Sequence, residues 1–360
     1  MDKLPKKTDR SLDSSKEELS IQLGMDVHAE QITVCRQLGG SLPQPAQKMS
    51  WERLVQWVGE LARSGAVIHS CYEAGPCGYG LHRTLTALGI TNIVVAPQRW
   101  DERGKRVKTD KRDARELVNR LDRYVRGNTE VFSVVRVPTE TQEPRRSLVR
   151  QRGALLKERN RCVYRGHGMM LAQGVRAPSG WWKPLLWLKV APTLPQWLCA
   201  QVEIWQNKAL SFQKELKVMD LKVRKLSEGK LIPKGLGALT AAVLESEVLD
   251  WSRFKNRRQV GSYTGLCPSE HSSDGKRRQG SVNKHGNPKV RHQLVEAIWR
   301  LEQWQPEYPP IQKLKEQSGT RSRKRAAVAA ARRLAVDLWR IETGQCSAQK
   351  LGLQLVKAEV

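Results

Sequence analysis

Nowhere does the chain carry an apolar run near the roughly 20 residues that span a bilayer, and residues 1–20 lack the apolar core of a secretion signal. These absences argue against a membrane protein and predict a cytoplasmic, nucleoid-associated one. Cysteine pairing is missing too. Cys35, Cys71, Cys77, Cys162, Cys199, Cys267 and Cys346 contain no Cys-x-x-Cys and no Cys/His cluster at zinc spacing. Neither a zinc finger nor a disulfide framework is therefore expected, and the thiols read as reduced. Acidic residues are scarce: 36 Asp and Glu face 63 Lys and Arg, leaving a formal net charge of +27. A surplus spread over every segment calls for a polyanionic partner rather than a merely solvated surface. A membrane surface is the weaker competitor, because no long basic helix with a clean apolar face occurs. Nucleic acid is the expected partner.

A length of 360 residues predicts two or three domains. Residues 1–19 are charged and Ser-rich with no apolar period, which predicts a disordered lead-in. From Ile21 the pattern changes. Ile21 and Leu23 run into Gly24-Met25-Asp26, and Ile32, Val34 and Arg36 alternate after a polar turn, which predicts a hairpin with Asp26 near the end of its first strand. Trp51, Leu54, Val55, Val58 and Leu61 stand at helical spacing, and 66–72 reads as a buried strand. A helix starting near Gly78 ends at Gly89, and a short strand over 92–96 stops at Pro97. This alternation predicts a mixed α/β sheet, whose strand ends are where functional residues gather.

Residues 143–225 read as long helices rich in Lys, Arg and Glu, which could pair between subunits as a coiled coil. Between them lies a Trp- and Pro-rich piece with Trp181, Trp182, Trp187 and Trp197, readable as a packed helical corner or as a stacking surface for bases. Further on, Gly235-Leu236-Gly237 opens an apolar helix. Such a turn can bind phosphate through backbone N–H groups or simply turn the chain.

Two constellations carry chemistry. The first is acidic: Asp26 and Glu73 follow apolar strands, while Asp110 and Asp113 sit in Lys-Thr-Asp-Lys-Arg-Asp-Ala-Arg, three apart, which on a helix puts both on one face. Phosphoryl transfer by two divalent ions needs several carboxylates converging on a space about 4 Å across, because hard cations take oxygen ligands. Ordinary caps and surface ion pairs account for most acidic residues. Carboxylates buried at strand ends would cost several kcal/mol without a cation. The second constellation is the Ser/Gly loop from Pro268 to Ser281, where Ser272 and Ser273 stand close to Lys276, Arg277 and Arg278. Guanidinium groups there could hold a phosphodiester for serine attack, and a loop that only tracks the DNA backbone would have the same composition.

Several long motifs in one order then become recognisable: "GMDVH", "YEAGPCGYGLHRTLTALGI", "VVAPQRW", "KTDKRDA" and "YTGLCPSEHSSDGKRRQGSVNKHGNPKVRHQLVEAIW". They resemble the DEDD transposases of bacterial insertion sequences, family one-ten and its eleven-eleven subgroup, related to the Piv invertases. The resemblance covers about residues 21–125 and 235–305. It implies a RuvC-like, ribonuclease-H-like α/β domain over 20–128 and a helical or coiled-coil region over 129–230. A mainly α C-terminal transposase domain over 231–345 and a tail over 346–360 would follow.

By the same resemblance Asp26, Glu73, Asp110 and Asp113 are the four acidic residues that hold Mg²⁺ or Mn²⁺. Ser273 matches the nucleophilic serine, with Ser272 in reserve, and Lys276, Arg277, Arg278, Lys284 and Arg291 are candidates for nucleic-acid contact. One departure is Asp274 after Ser273, where the family usually has glycine. The implied partners are donor and target DNA, a non-coding guide RNA from the element's flank, and further copies of the chain in a dimer or tetramer. Delegating sequence choice to base pairing would leave the protein to bind backbone and shape. A metal-only nuclease that uses water, and a non-catalytic nucleic-acid-binding derivative, are the competing expectations.

Overall fold

The computed structural model describes residues 20–97, 109–270 and 279–359. The chain divides between Val137 and Pro138 into two compact units.

The first unit is built on a five-stranded sheet. In chain order its strands are β1 (Ser20–Val27), β2 (Ile32–Leu38), β3 (Gln47–Met49), β4 (Val67–Glu73) and β5 (Thr91–Val95), arranged β3-β2-β1-β4-β5. β1 pairs antiparallel with β2 and parallel with β4, and β4 pairs parallel with β5. Among its described residues the unit also has the α-helices α1 (Trp51–Arg63), α2 (Gly80–Ala87) and α3 (Asp110–Val125). The Ser50 side chain starts α1 by accepting from the Arg53 N–H at 3.2 Å. Helix α3 buries Ala114, Leu117, Val118 and Leu121, an i, i+3, i+4, i+7 stripe. That stripe lies against β1, where consecutive residues Ile21 to Met25 are all buried because both faces of the strand are covered.

Gly24 permits this packing. A Cβ there would stand 2.4 Å from both the Ala114 carbonyl oxygen and the Val118 backbone nitrogen. Only a residue without a side chain lets α3 approach so closely, and α3 begins at Asp110.

The second unit is mostly helical. α4 (Gln142–Ala172), α5 (Pro184–Val190) and α6 (Gln196–Lys225) form a long hairpin. Arg145 donates to the Leu226 carbonyl, Arg152 to Asp220 and Arg159 to Gln213, so α4 and α6 run antiparallel. On α6 the buried residues Val202, Ala209, Leu216 and Val223 recur every seven positions, the repeat of coiled-coil packing. At the closed end Trp181, Trp182 and Trp187 are buried in one apolar cluster, whereas Trp197 is exposed. Gly166 belongs to that corner, since a Cβ there would meet the Trp181 ring at 2.5 Å.

Past the hairpin come β6 (Leu231–Pro233), α7 (Ala238–Val248), α8 (Arg257–Thr264), β7 (Pro268–Glu270), β8 (Gln279–Val282), α9 (Pro288–Trp304), α10 (Pro309–Lys315), α11 (Thr320–Glu342) and β9 (Leu355–Lys357). β6 pairs with β9 and β7 with β8. Leu294, Ile298, Leu301, Ile311, Leu314, Ala331 and Leu334 centre the core of this region. The Gly235-Leu236-Gly237 segment turns the chain: both glycines have positive φ, and a Cβ on Gly235 would lie 2.8 Å from Trp304 Cβ. Among the described residues no helix is long and apolar enough to cross a membrane.

Candidate metal centre

The C-terminal end of the sheet and the first turn of α3 bring acidic groups from separate segments together. Asp26, His28 and Asp110 each present a ligand atom, and these atoms lie within 4.8 Å of one another. His28 Nε2 stands 3.3 Å from Asp26 Oδ2 and 3.8 Å from Asp110 Oδ1, which places the imidazole between the carboxylates. Asp26 is at the end of β1, where it pairs with Thr33 of β2. On the other side Met25 pairs with Tyr72 of β4, so Asp26 and Glu73 occupy neighbouring positions at the same end of two parallel strands. Glu73 is half-buried. Asp113, one turn beyond Asp110 on α3, is also half-buried and acts electrostatically on Asp26.

Burial pushes the Asp26 carboxyl above its ordinary range, and the charges of Asp110 and Asp113 push the same way while His28 opposes them. Asp110 is displaced downward, first by a hydrogen bond from Lys48 and then by the charges of Lys48 and His28. Lys48 Nζ donates to Asp110 Oδ2 at 2.9 Å. The ammonium stands where a cation is wanted, at one side of a cluster of like charges. The set suits a hard divalent ion: oxygen donors, one imidazole, and a carboxylate that its surroundings disfavour as a bare anion.

Sequence reasoning placed Asp26, Glu73, Asp110 and Asp113 in one site but did not single out His28 or Lys48. His28 lies two residues from Asp26 inside the motif "GMDVH", a signal that was available. Lys48 sits on β3, a short edge strand that pairs Lys48 with Thr33, the same residue that faces Asp26.

Ser272, Ser273, Asp274, Lys276, Arg277 and Arg278 lie outside the described residues. Lys284 is exposed, with φ of 59°, a left-handed conformation unusual for a side chain of its kind. Arg291 donates to the carbonyls of Thr264 and Lys284 at 3.1 and 3.3 Å, so its guanidinium holds the chain on either side of the β7–β8 hairpin.

Behind that hairpin lies a charged network that sequence reasoning missed. Glu247 of α7 is fully buried, with Arg150 at 3.1 Å, Lys289 at 3.3 Å and Arg146 at 4.0 Å. Asn287 Nδ2 donates to its carboxylate at 3.0 Å while the Asn287 Oδ1 caps α9, accepting from the Lys289 and Val290 N–H groups. Burial alone would raise Glu247, but the Asn287 hydrogen bond and the charges of Arg150, Lys289 and Arg146 hold it below the usual carboxylate range. One carboxylate therefore ties α4, α7 and the start of α9 together.

A family profile described as "Transposase IS116/IS110/IS902 family" matches residues 232–312. The chain is 35% identical over 302 residues to y4rJ, a transposase-named protein of Sinorhizobium fredii, covering 74% of this chain and 75% of the relative. It is 26% identical over 313 residues to the transposase for insertion sequence element IS1533 of Leptospira borgpetersenii, covering 78% and 85% of the two chains. It is also 26% identical over 243 residues to the transposase for insertion sequence element IS1111A of Coxiella burnetii, covering 64% and 65%.

Proposed function

Because the chain belongs to the IS116/IS110/IS902 family of insertion-sequence transposases, we propose that it moves a DNA element by metal-dependent strand transfer through a serine-linked intermediate. The observation that carries this reading is the meeting of Asp26 and Asp110, distant in sequence, with His28 at one end of the sheet. A mixed sheet that gathers Asp26 and Glu73 at one end and starts α3 beside them supports a ribonuclease-H-like scaffold for that chemistry.

Asp26, Asp110 and His28 would hold Mg²⁺ or Mn²⁺, joined in this reading by Glu73 at the end of the neighbouring strand and Asp113 in the first turn of α3. Such an ion, when bound, polarises a phosphodiester and offsets the charge that develops on it. The chain's own groups do the remainder. Without the ion, His28 hydrogen-bonds the Asp26 carboxylate and Lys48 neutralises Asp110. Ser273 supplies the nucleophile: its Oγ bonds to phosphorus as the bond from phosphorus to the departing strand's oxygen breaks. The serine proton leaves toward that oxygen. Attack by the hydroxyl of the incoming strand reverses the step, so phosphodiester bonds are exchanged without an external energy source.

The net charge of +27 supports polynucleotide partners. In this reading they are donor and target DNA and a guide RNA, handled by a dimer or tetramer because two duplexes must be cut. The test is covalent trapping. Full-length protein, flanking RNA and end-labelled duplexes are mixed with Mg²⁺ and resolved on denaturing gels. A labelled protein band should form with wild type, persist with Ser272→Ala, and vanish with Ser273→Ala and with Asp26→Ala. Cleaved DNA without any protein band would instead assign the attack to water.

A further inference from the structure

The second unit contains a trough that the metal centre does not use. Two cavities of about 570 and 740 Å³ lie along α10 and α11 and share Gln317, Ala326 and Ala329, so they run into one another. The sequence of α11 explains the shape. Ala326, Ala329 and Ala330 fall at i, i+3 and i+4, which sets their methyl groups in one stripe and makes a low apolar floor.

Cations ring that floor. Lys313, Arg333 and Lys350 line one cavity, and Arg321 and Arg325 line the other. Among the described residues Asp337 is the one acidic residue lining either cavity. It is buried, and its carboxylate accepts from Tyr308 Oη at 2.8 Å and from Arg333 Nε at 2.9 Å, with Arg340 at 3.7 Å. Among the described residues Lys313, Arg321, Arg325 and Lys350 have no ion-pair partner. Four uncompensated cations along one trough repel each other, and a polyanion removes that repulsion.

From this charge and shape we propose that the α10–α11 trough binds a single polynucleotide strand, with phosphates on the cations and a sugar or base face on the alanine stripe. A single strand can lay an unstacked base or sugar face on that apolar floor, whereas a duplex keeps its base faces stacked inside. The family profile ends at residue 312, and all five cations lie beyond it. This inference rests on the transposase reading only in taking nucleic acid as the partner.

Fluorescence anisotropy with the full chain in EDTA tests it. The probes are a DNA strand of about 12 nucleotides, the RNA strand of the same sequence, and the matching duplex. One variant reverses charge, Lys313→Glu with Lys350→Glu. The other, Ala329→Trp, fills the exposed floor without changing charge. Both should weaken single-strand binding about tenfold or more at about 0.1 M salt, with duplex binding altered less than about twofold. The charge variant alone should flatten the slope of log affinity against log salt, by about 0.7 for each phosphate no longer neutralised. The arm showing the larger loss, RNA or DNA, identifies the natural strand. Unchanged single-strand affinity in Ala329→Trp, or equal losses for strand and duplex, would overturn the proposal. Circular dichroism verifies folding, and if the charge variant is unfolded, Ala329→Trp alone decides the question. Since no metal is present, failure here leaves the cleavage chemistry standing, and loss of cleavage leaves the trough standing.

Discussion

Replacing Gly24 by alanine should damage the candidate metal centre without touching any of its proposed ligands. The added Cβ would lie 2.4 Å from the Ala114 carbonyl oxygen and equally close to the Val118 nitrogen, both main-chain atoms that no rotamer change can move aside. Ordinary contact is near about 3.5 Å, so α3 must withdraw from β1 by about 1 Å. Overpacking of this kind costs about 1–3 kcal/mol. The displaced helix carries Asp110 and Asp113 in its first turn. A displacement of about 1 Å at a reacting geometry can cost about a hundredfold. Gly24→Ala should therefore lose about 2 kcal/mol in urea unfolding and bind Mn²⁺ at least about tenfold more weakly by calorimetry. Gly59→Ala is the control: it lies within α1 with nothing within 4 Å of its added Cβ. It should gain up to about 1 kcal/mol from helix propensity and leave metal binding alone. If Gly24→Ala matched wild type in both assays, the close approach of α3 to β1 would not govern the site.

Three other perturbations follow from the same geometry. Lys48→Ala removes the ammonium that competes with metal for Asp110, so apparent Mn²⁺ affinity should rise by up to about fivefold at low salt, and Lys48→Arg should restore the wild-type value. Glu247→Gln leaves Arg146, Arg150 and Lys289 without their buried counter-charge and should cost about 3–5 kcal/mol in denaturant titration. Because Glu247 is held below its ordinary range, its stabilisation is present above the unfolded carboxylate pKa of about 4.3 and is lost as pH falls through the lower folded value; the variant should lack that acid-side slope. Gly166→Ala drives a methyl into the Trp181 ring and should lower the melting temperature of the full chain by several degrees, equivalent to about 1–3 kcal/mol.

The α/β alternation of the first unit was legible because period and punctuation agree there. Helical spacing from Trp51, the apolar run before Glu73 and the Pro97 stop correspond to α1, β4 and β5. What could not be read was adjacency. β3 is only Gln47, Lys48 and Met49, in a stretch with Pro43 and Pro45, so it gives no strand pattern; only pairing with β2 makes it one. Lys48 was hidden for that reason. His28 was visible inside its motif, but its place between two carboxylates depends on where α3 begins. Glu247 sits in the apolar run Ala-Leu-Thr-Ala-Ala-Val-Leu-Glu-Ser-Glu-Val, where a lone buried acid is a weak signal until the cations of α4 are placed beside it. The tryptophans from Trp181 to Trp197 resolve into a buried corner and one exposed ring on the first turn of α6, a distinction that composition alone does not contain.

The claim on which the rest depends is that the acidic groups at this end of the sheet form a divalent-metal site, and direct binding tests it most plainly. Free Mn²⁺ counted by electron paramagnetic resonance during titration of the full chain should show binding by wild type. Asp26→Asn and Asp110→Asn should each weaken it by at least about a hundredfold, since even outer partners of metal ligands are worth about ten- to a hundredfold. Equal Mn²⁺ binding by wild type and both variants would contradict the account and put the metal elsewhere.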